Sequence, residues 1–578
     1  MNILKKLLFI FLIIFLSYWA IKPLFITGFF PMHDDTQVAR VFEMQKSLHD
    51  GMFPVRWVTD LGYHYGYPIF NFYAPFAYYV GGFLNLIGID ALNATKLMMG
   101  LGVVFSGVFM YLFAKEFWGK VGGLLSAVLY IYAPYHAIDI YIRGDVAEFW
   151  AYAFIPLAFL SVYKVYDYCN QSKSVSRKIW IWITIGAVGY TGIILSHNLT
   201  ALMVTPFLFG FTILLYFFLL KNKKKLSHIF LCFVFGIILA AFYWLPVFTE
   251  MNYTNVLSQI GGGADYKDHF VCLNQLWDSP WGFGGSVLGC NDGLSFKIGK
   301  LHILFSLFSI GALIFFWKKQ KEKFALLLFS IMSFFIVIYL TLANAKFVWD
   351  AIPQMAFFQY PWRFLVMISF FVSFLGGASI WVYENIQKLK PVPSFRLEFI
   401  LCSILLITTI IYNSKLFIPQ TILNKTATDY TNGANLIWTT SKISDEYLPK
   451  GFHKPKNFNE VPQEKFVANP KDFVINSLIE KSQETKVDLL IFYPTTIFVN
   501  QAYFPFWHIF VDNKEVTVIS TNQGMVFTVP KGRHFVSIRF IQTPIQKLAN
   551  ALSLTGVFLL VIGIITKRKD EDYDEKNK

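Results

Sequence analysis

The chain has 578 residues, of which 55% are hydrophobic and 19% aromatic, with a mean hydropathy of +0.49. That balance excludes a soluble multidomain protein and predicts a polytopic membrane protein. The net charge of +14 does not indicate nucleic acid, because Lys and Arg sit in short clusters between apolar runs, where they anchor helices at a membrane surface.

A hydrocarbon core of about 30 Å needs about 20 apolar residues per helix. Twelve stretches qualify: 7–28, 96–114, 121–135, 150–168, 179–195, 199–220, 227–246, 301–317, 323–343, 362–383, 397–415 and 549–566. The first follows Lys5 and Lys6, exceeds a signal-peptide core and lacks a small-residue cleavage site, so it reads as a retained anchor. After it, residues 36–50 carry apolar Val38, Val41, Phe42 and Leu48 at the spacing of an amphipathic helix lying on the membrane. Phe76 to Ile89 is apolar but short and interrupted by Gly81, Gly82 and Gly88, which predicts a re-entrant or interfacial helix.

With that segment kept out of the count, the clusters at Lys5–Lys6, 115–120, 177–178, 221–225, 318–323, 388–396 and 567–569 all fall on one side. Both termini are then cytoplasmic, and the outer loops are 29–95, 136–149, 247–300, 344–361 and 416–548. The last outer segment alternates with period two at 516–519 and 534–540, with turns at Asp512-Asn513-Lys514 and Pro530-Lys531-Gly532, and predicts a small antiparallel β-sandwich-like domain. The expected organisation is a helical domain over 1–415, a β-rich domain over 416–548, a final helix over 549–566 and a charged tail over 567–578.

Chemistry concentrates in the outer loops. His33-Asp34-Asp35 places two carboxylates beside an imidazole where charge is costly to hold. One acid can cap the helix that follows, which leaves the other for function. Arg143-Gly144-Asp145-Val146-Ala147-Glu148 is an ordinary loop ion pair by itself. Combined with the first motif it offers up to four carboxylates at one face, enough for a divalent metal (Mg or Mn) or for an acid and base pair. His197 marks a tight turn, where it serves as a substrate or metal ligand or as an interfacial hydrogen-bonding group.

Arg363, in Tyr360-Pro361-Trp362-Arg363-Phe364, suits a phosphate contact, with snorkelling beside aromatic anchors as the plainer reading. Arg40, Arg56 and Lys346 are weaker candidates. The loop through Trp277 and Trp281-Gly282-Phe283-Gly284-Gly285 offers either a sugar-stacking wall or an aromatic belt. Of the five cysteines, Cys272 and Cys290 share a polar loop where a disulfide is possible, and Cys232 and Cys402 lie in apolar runs as packing residues.

The acidic first-loop motif, with Tyr67-Pro68-Ile69-Phe70-Asn71-Phe72-Tyr73-Ala74-Pro75 before a short apolar helix, resembles the GT-C class of polyprenyl-phosphate-sugar-dependent glycosyltransferases. More closely, Arg143-Gly144-Asp145, Trp281 to Ser286 and Gln359 to Phe364 resemble segments of the prokaryotic membrane proteins labelled as related to 6-pyruvoyl-tetrahydropterin synthase. Nothing resembles the soluble pterin enzyme itself. Phe504-Pro505-Phe506-Trp507 with Val511 to Lys514 is similar to the outer β domain of related membrane proteins of cell-envelope glycosylation.

The resemblance implies a GT-C-like arrangement of about twelve helices, a polyprenyl-phosphate-linked sugar donor in the membrane and a glycan, lipid or protein acceptor. It assigns the central acid to Asp34 or Asp35 and the supporting acid to Asp145 or Glu148. Asp34, Asp35 and Asp145 form the implied metal set, and His33, Arg143, His197, Trp281 and Arg363 the substrate-binding set. A transporter and a glycan-binding scaffold are the rival classes. The former usually places its polar site near the midplane and shows internal repeats, neither of which the sequence displays.

Overall fold

The computed structural model describes residues 2–171, 176–219, 226–256, 264–316, 321–387 and 395–576. The basic cluster at 221–225, half of that at 318–323 and most of that at 388–396 lie outside the described residues. The helices are α1 (Asn2–Ile21), α2 (Gln37–His49), α3 (Phe76–Leu86), α4 (Ala91–Ile131), α5 (Val146–Gln171), α6 (Arg177–Ser196), α7 (Asn198–Leu214), α8 (Leu226–Leu239) and α9 (Ala241–Glu250). They continue with α10 (Lys300–Phe316), α11 (Lys321–Thr341), α12 (Leu365–Gln387), α13 (Phe395–Asn413) and α14 (Pro544–Lys576).

Among the described residues nine helices are long and apolar enough to cross a membrane, with one further bent pair. Three stretches account for the difference from the twelve expected spans. Gly119 (φ 73°) breaks α4 into two arms. They fold back on each other: a Cβ on Gly107 would strike Ile131, and one on Gly123 the backbone of Lys115. The expected span 227–246 is α8 and α9, bent by 62°. The expected span 301–317 falls on α10, which is described only to Phe316, and it is not among the nine. The centre of the bundle is α5 and α12, buried almost throughout, with α5 against α4 and α6, and α12 against α4, α10 and α11.

α2 departs from expectation. It does not lie on a surface: Gln37, Arg40, Glu43 and Ser47 are buried along with Val38, Val41 and Met44. The reason is close approach by α3. Gly81 and Gly82 touch Val41 and Met44, and a Cβ on either glycine would come within 2.6 Å of those side chains. The glycines that mark α3 as too broken to span are therefore its packing face for α2. The capping role expected of an acid is also untaken, since the cap position is Thr36 and carries no side-chain hydrogen bond.

The strands lie between Phe466 and Phe540 in two antiparallel sheets. One has the order β1 (Phe466–Val467), β4 (Thr495–Val499), β8 (Met525–Val529), β7 (Ile519–Ser520). The other runs β2 (Phe473–Lys481), β3 (Glu484–Ile491), β9 (Gly532–Phe540), β5 (Trp507–Val511), β6 (Lys514–Val516). The expected turn at Asp512-Asn513 is a two-residue hairpin with both residues at positive φ, the geometry that suits strand twist. The stretches 516–519 and 530–532 are crossings instead, because β6 and β7, like β8 and β9, belong to different sheets.

This region is bolted to the first loop. The Trp57 indole is edge-on to Phe504, Phe506 and Trp507 at 5.3–5.8 Å, and Ala502 donates its N–H to Tyr65 at 2.8 Å. Trp57→Ala empties a site that is 1% exposed. Limited proteolysis is expected to cut the strand region faster in this variant, and heat in detergent to unfold it earlier, for a cost of about 3–5 kcal/mol.

Candidate active site

Five helix ends converge on one cleft. Asp34 follows α1, Asp145 precedes α5, His197 joins α6 to α7 and Arg363 precedes α12, while residues 443–447 enter from the long segment before the strands. The cleft encloses about 640 Å³. It is built around Arg143, which lies on a π-helical turn, Asp139–Arg143. This guanidinium, itself 6% exposed, donates Nη2 to Asp145 Oδ2 at 2.7 Å and Nη1 to Glu148 Oε2 at 2.9 Å. Nη1 also reaches Asp139 and the Tyr135 hydroxyl, and the group lies 4.8 Å from the Trp362 ring. Glu148 completes its bonding by accepting from the Tyr135 hydroxyl at 2.6 Å. Asp145 Oδ1 accepts the Glu148 N–H at 3.0 Å, as an acid at a helix start does.

Gly144 lets the first loop approach. Its φ is +66°, and a Cβ there would run into Met32. The two loops then run side by side: His33 N–H donates to Ile142 O and Asp34 N–H to Arg143 O, both at 2.9 Å. Gln37 Nε2 closes the join on Gly144 O at 2.8 Å. Among the described residues no hydrogen bond reaches the Asp34 carboxylate. Burial pushes its pKa up, Asp145 adds to this, and Arg143, Arg40 and Arg363 oppose it. Burial pushes Asp145 up as well, but Arg143, His197, Arg363 and the Glu148 N–H outweigh it and hold the carboxyl at about 2. Two neighbouring acids are thus driven in opposite directions.

His33, Asp34, Arg143, Asp145, His197 and Arg363 all line the cleft. Glu148 lies directly beneath, buried, with Arg363 Nε 3.7 Å from its Oε2. Arg363 is fixed by Nη1 to Phe358 O at 3.1 Å and Gln359 Oε1 at 3.2 Å. Two further expected members do not line it. Asp35 is absent from the lining, and burial raises its pKa, offset only in part by the charge of Lys425. Trp281 stays out because Gly284 and Gly293 pair their backbones, so the loop presents Gly285 and Ser286 to the cleft while Trp281 lies 5.3 Å from Lys297.

Cys272 and Cys290 form a disulfide that closes this loop. Ser286 Oγ takes the Trp362 indole N–H at 3.0 Å and pairs with His269 at 2.8 Å. Of the weaker candidates, Arg40 lies beside the cleft with its guanidinium 4.6 Å from the Tyr73 ring. Arg56 instead bonds Asn71 and Asn550, and Lys346 pairs with Asp350.

Asp145, Glu148 and His197 bring ligand atoms within 4.8 Å of one another. Two carboxylates and an imidazole suit a first-row divalent ion such as Mn²⁺. The fit is partial for Glu148, because Tyr135 and Arg143 already engage both its oxygens. Asp145 and His197 are the members of this set that face the cleft, and burial lowers the His197 pKa, which favours the neutral form that a ligand requires. The arrangement is compatible with a divalent metal; of the expected set of Asp34, Asp35 and Asp145, it includes Asp145, while Asp34 lines the same cleft.

Residues 70–260 match the family model of the 6-pyruvoyl-tetrahydropterin synthase related domain, a membrane protein. That related domain contains Arg143, Asp145, Glu148 and His197, whereas Asp34 and Arg363 join it from either side. An uncharacterised protein of Lactococcus lactis subsp. cremoris (strain MG1363) is 24% identical over 258 residues, 42% of this chain and 40% of that protein's length. The Archaeoglobus fulgidus oligosaccharyltransferase in its apo form is similar at 15% identity and a TM-score of 0.49, covering 79% of this chain and 61% of that one. ArnT from Cupriavidus metallidurans, bound to undecaprenyl phosphate, is similar at 11% and 0.42 over 76% of each chain. The mycobacterial arabinofuranosyltransferase AftD is similar at 10% and 0.43, over 72% of this chain and 27% of that one. With TM-scores below 0.5, these are partial likenesses.

Arg143→Leu strands three acids and is expected to cost about 3–5 kcal/mol, against less than about 0.5 kcal/mol for Asp35→Asn, read from unfolding in detergent. The depressed Asp145 pKa contributes stability above the ordinary Asp value of about 4 that is lost as pH falls towards 2. In Arg143→Leu this acid-side loss is reduced or abolished, because the Asp145 carboxyl is no longer held below its unfolded value. A second expectation concerns metal. Dialysed protein titrated with Mn²⁺ and followed by electron paramagnetic resonance shows one saturable site, lost in Asp145→Asn and kept in Asp35→Asn. Loss in Asp35→Asn restores the sequence-derived set.

Proposed function

We propose that the chain is a membrane glycosyltransferase that transfers a sugar from a polyprenyl-phosphate donor to an acceptor at the extracytoplasmic face, in cell-envelope glycan or glycoprotein synthesis. One observation carries this reading: in a single cleft an unbonded carboxylate with a raised pKa, Asp34, stands beside an ionised one, Asp145, and two arginines. The sequence resemblance to GT-C enzymes supports it. So does the position of these groups at helix ends, where a lipid-linked substrate meets water.

In this reading Arg363 holds the donor phosphate. Its prenyl chain leaves along Val247 and Met251, where Phe248 between them is 69% exposed. Asp34 takes the acceptor hydroxyl proton as the oxygen attacks the anomeric carbon. The bond to the phosphate oxygen breaks, and the departing lipid phosphate keeps the electron pair and its charge beside Arg363. Asp145 stays ionised throughout and keeps Arg143 and Arg363 aligned. A single displacement inverts the anomeric carbon, whether the sugar is a hexose or a pentose. A divalent metal, held by Asp145 and His197, would supply further charge stabilisation at the leaving phosphate.

The test is release of lipid phosphate by purified protein from a panel of polyprenyl-phosphate sugars, with an acceptor mixture. Asp34→Asn and Asp145→Asn are each expected to reduce turnover by about 100-fold or more, with Asp35→Asn close to the parent. The acid limb of kcat/KM lies above the usual carboxylate range. It shifts to lower pH in the residual activity of Asp145→Asn, because removing that negative charge lowers the Asp34 pKa. No turnover with any donor, or full turnover in Asp34→Asn, sinks the reading.

A further inference from the structure

The cleft has two poles. At one, Arg143 and Arg363 lie against Trp362 and Tyr360. At the other, Glu446 and Tyr447 reach in beside Phe72 and Tyr73, from a segment that is distant in sequence. Tyr447 stacks on Phe72 with ring centroids 5.8 Å apart and planes 14° apart.

Glu446 is set in place rather than loose. Ser444 Oγ donates to its two oxygens at 3.1 and 3.2 Å, and the Tyr67 hydroxyl lies 3.4 Å from Oε2. The segment is pinned just beyond Glu446. Tyr447 N–H bonds the Tyr67 hydroxyl at 3.2 Å, Asn255 N–H bonds Leu448 O at 3.2 Å, and Lys450 N–H bonds Tyr253 O at 2.9 Å.

We infer that this second pole is an acceptor subsite for a neutral carbohydrate, with the Glu446 carboxylate accepting hydrogen bonds from sugar hydroxyls beside the aromatic wall of Phe72, Tyr73 and Tyr447. The inference rests on the glycosyl-transfer reading and names the substrate class that reading leaves open. Three observations point the same way. A carboxylate repels a phosphodiester, so the donor phosphate is sorted to the arginine pole. Arg40, which donates Nη2 to Ser444 Oγ at 2.9 Å, already balances the Glu446 charge, so the pole has no need of an ammonium group. A few fixed polar groups on an aromatic wall are also what orients a polyhydroxylated ligand. Asp34 feels Arg40 from this pole and Arg143 and Arg363 from the other, which puts the proposed base between the two substrates.

The test measures binding, by intrinsic tryptophan fluorescence of the full-length protein in detergent. The probes are maltose, lactose and mannobiose for the acceptor pole, farnesyl phosphate for the donor pole and glycylglycinamide as an amine. At least one disaccharide binds saturably, and its affinity falls about tenfold or more in Glu446→Gln, the loss expected for a hydrogen bond to a charged group. Ile443→Trp, placed on an exposed edge of the same pole, weakens the same disaccharide by crowding, and so tests the subsite should Glu446→Gln not fold. Farnesyl phosphate affinity changes less than about twofold in Glu446→Gln and falls in Arg363→Gln. Absence of disaccharide binding, or equal binding in both variants, overturns the inference, as does Glu446-dependent binding of glycylglycinamide in its place. Disaccharide binding without farnesyl phosphate binding leaves the subsite standing and removes the polyprenyl-phosphate donor.

Discussion

A single buried guanidinium organises this molecule. Arg143 lies among Asp139, Asp145 and Glu148, all nearly inaccessible to water, and three acids at that depth without a cation would repel one another and neutralise. A lysine offers one point charge. The planar fork of an arginine spreads donors over three carboxylates at once and still presents a face to Trp362. The turn from Asp139 to Glu148 takes its shape from this requirement, and the first loop is registered against that turn through Ile142, Arg143 and Gly144. The position of Asp34 is thus a consequence of where Arg143 can be satisfied.

The scaffold delivers these groups by ending helices rather than by interrupting them. Residues at the end of α6 and at the starts of α2, α5, α7 and α12 supply the cleft. The loop closed by Cys272 and Cys290 adds a further wall, since Ser286 anchors the Trp362 indole. Aromatic groups, a buried ion network and a backbone pairing between two loops therefore converge on one place from five parts of the chain.

Much of this was legible in the residues. Apolar runs of membrane length identify the bundle because a lipid solvent tolerates little else, and period-two alternation finds the strand region. Arg143, Asp145 and Glu148 are close in sequence, so their joint chemistry is visible there. Other features were not. Asp34 and Asp35 are adjacent and chemically identical, and only the backbone pairing with the second loop shows which of them lines the cleft. Asp139 escaped notice because its role depends on a π turn that brings it onto Arg143. Glu446 is an acid in a polar stretch some 400 residues from Asp34 and carries no local signal at all. The burial of α2 was hidden because its polar residues, Gln37 and Arg40, look solvated until their partners Tyr78 and Ser444 are known.

One feature of α2 has a mechanical side. Its first turn is joined to Gly144 by Gln37. Beyond its last turn, Asp50 accepts both the N–H and the hydroxyl of Ser482 at 2.7–2.8 Å, at the tip of the β2–β3 hairpin. Thirteen helical residues make a rod of about 20 Å, gripped by the strand region at one end and carrying the Asp34 loop at the other. Helices resist compression far better than loops do. Whatever loads the sheets, whether a bound polymer or a neighbouring protein, therefore pushes through that rod onto the acid that faces the cleft.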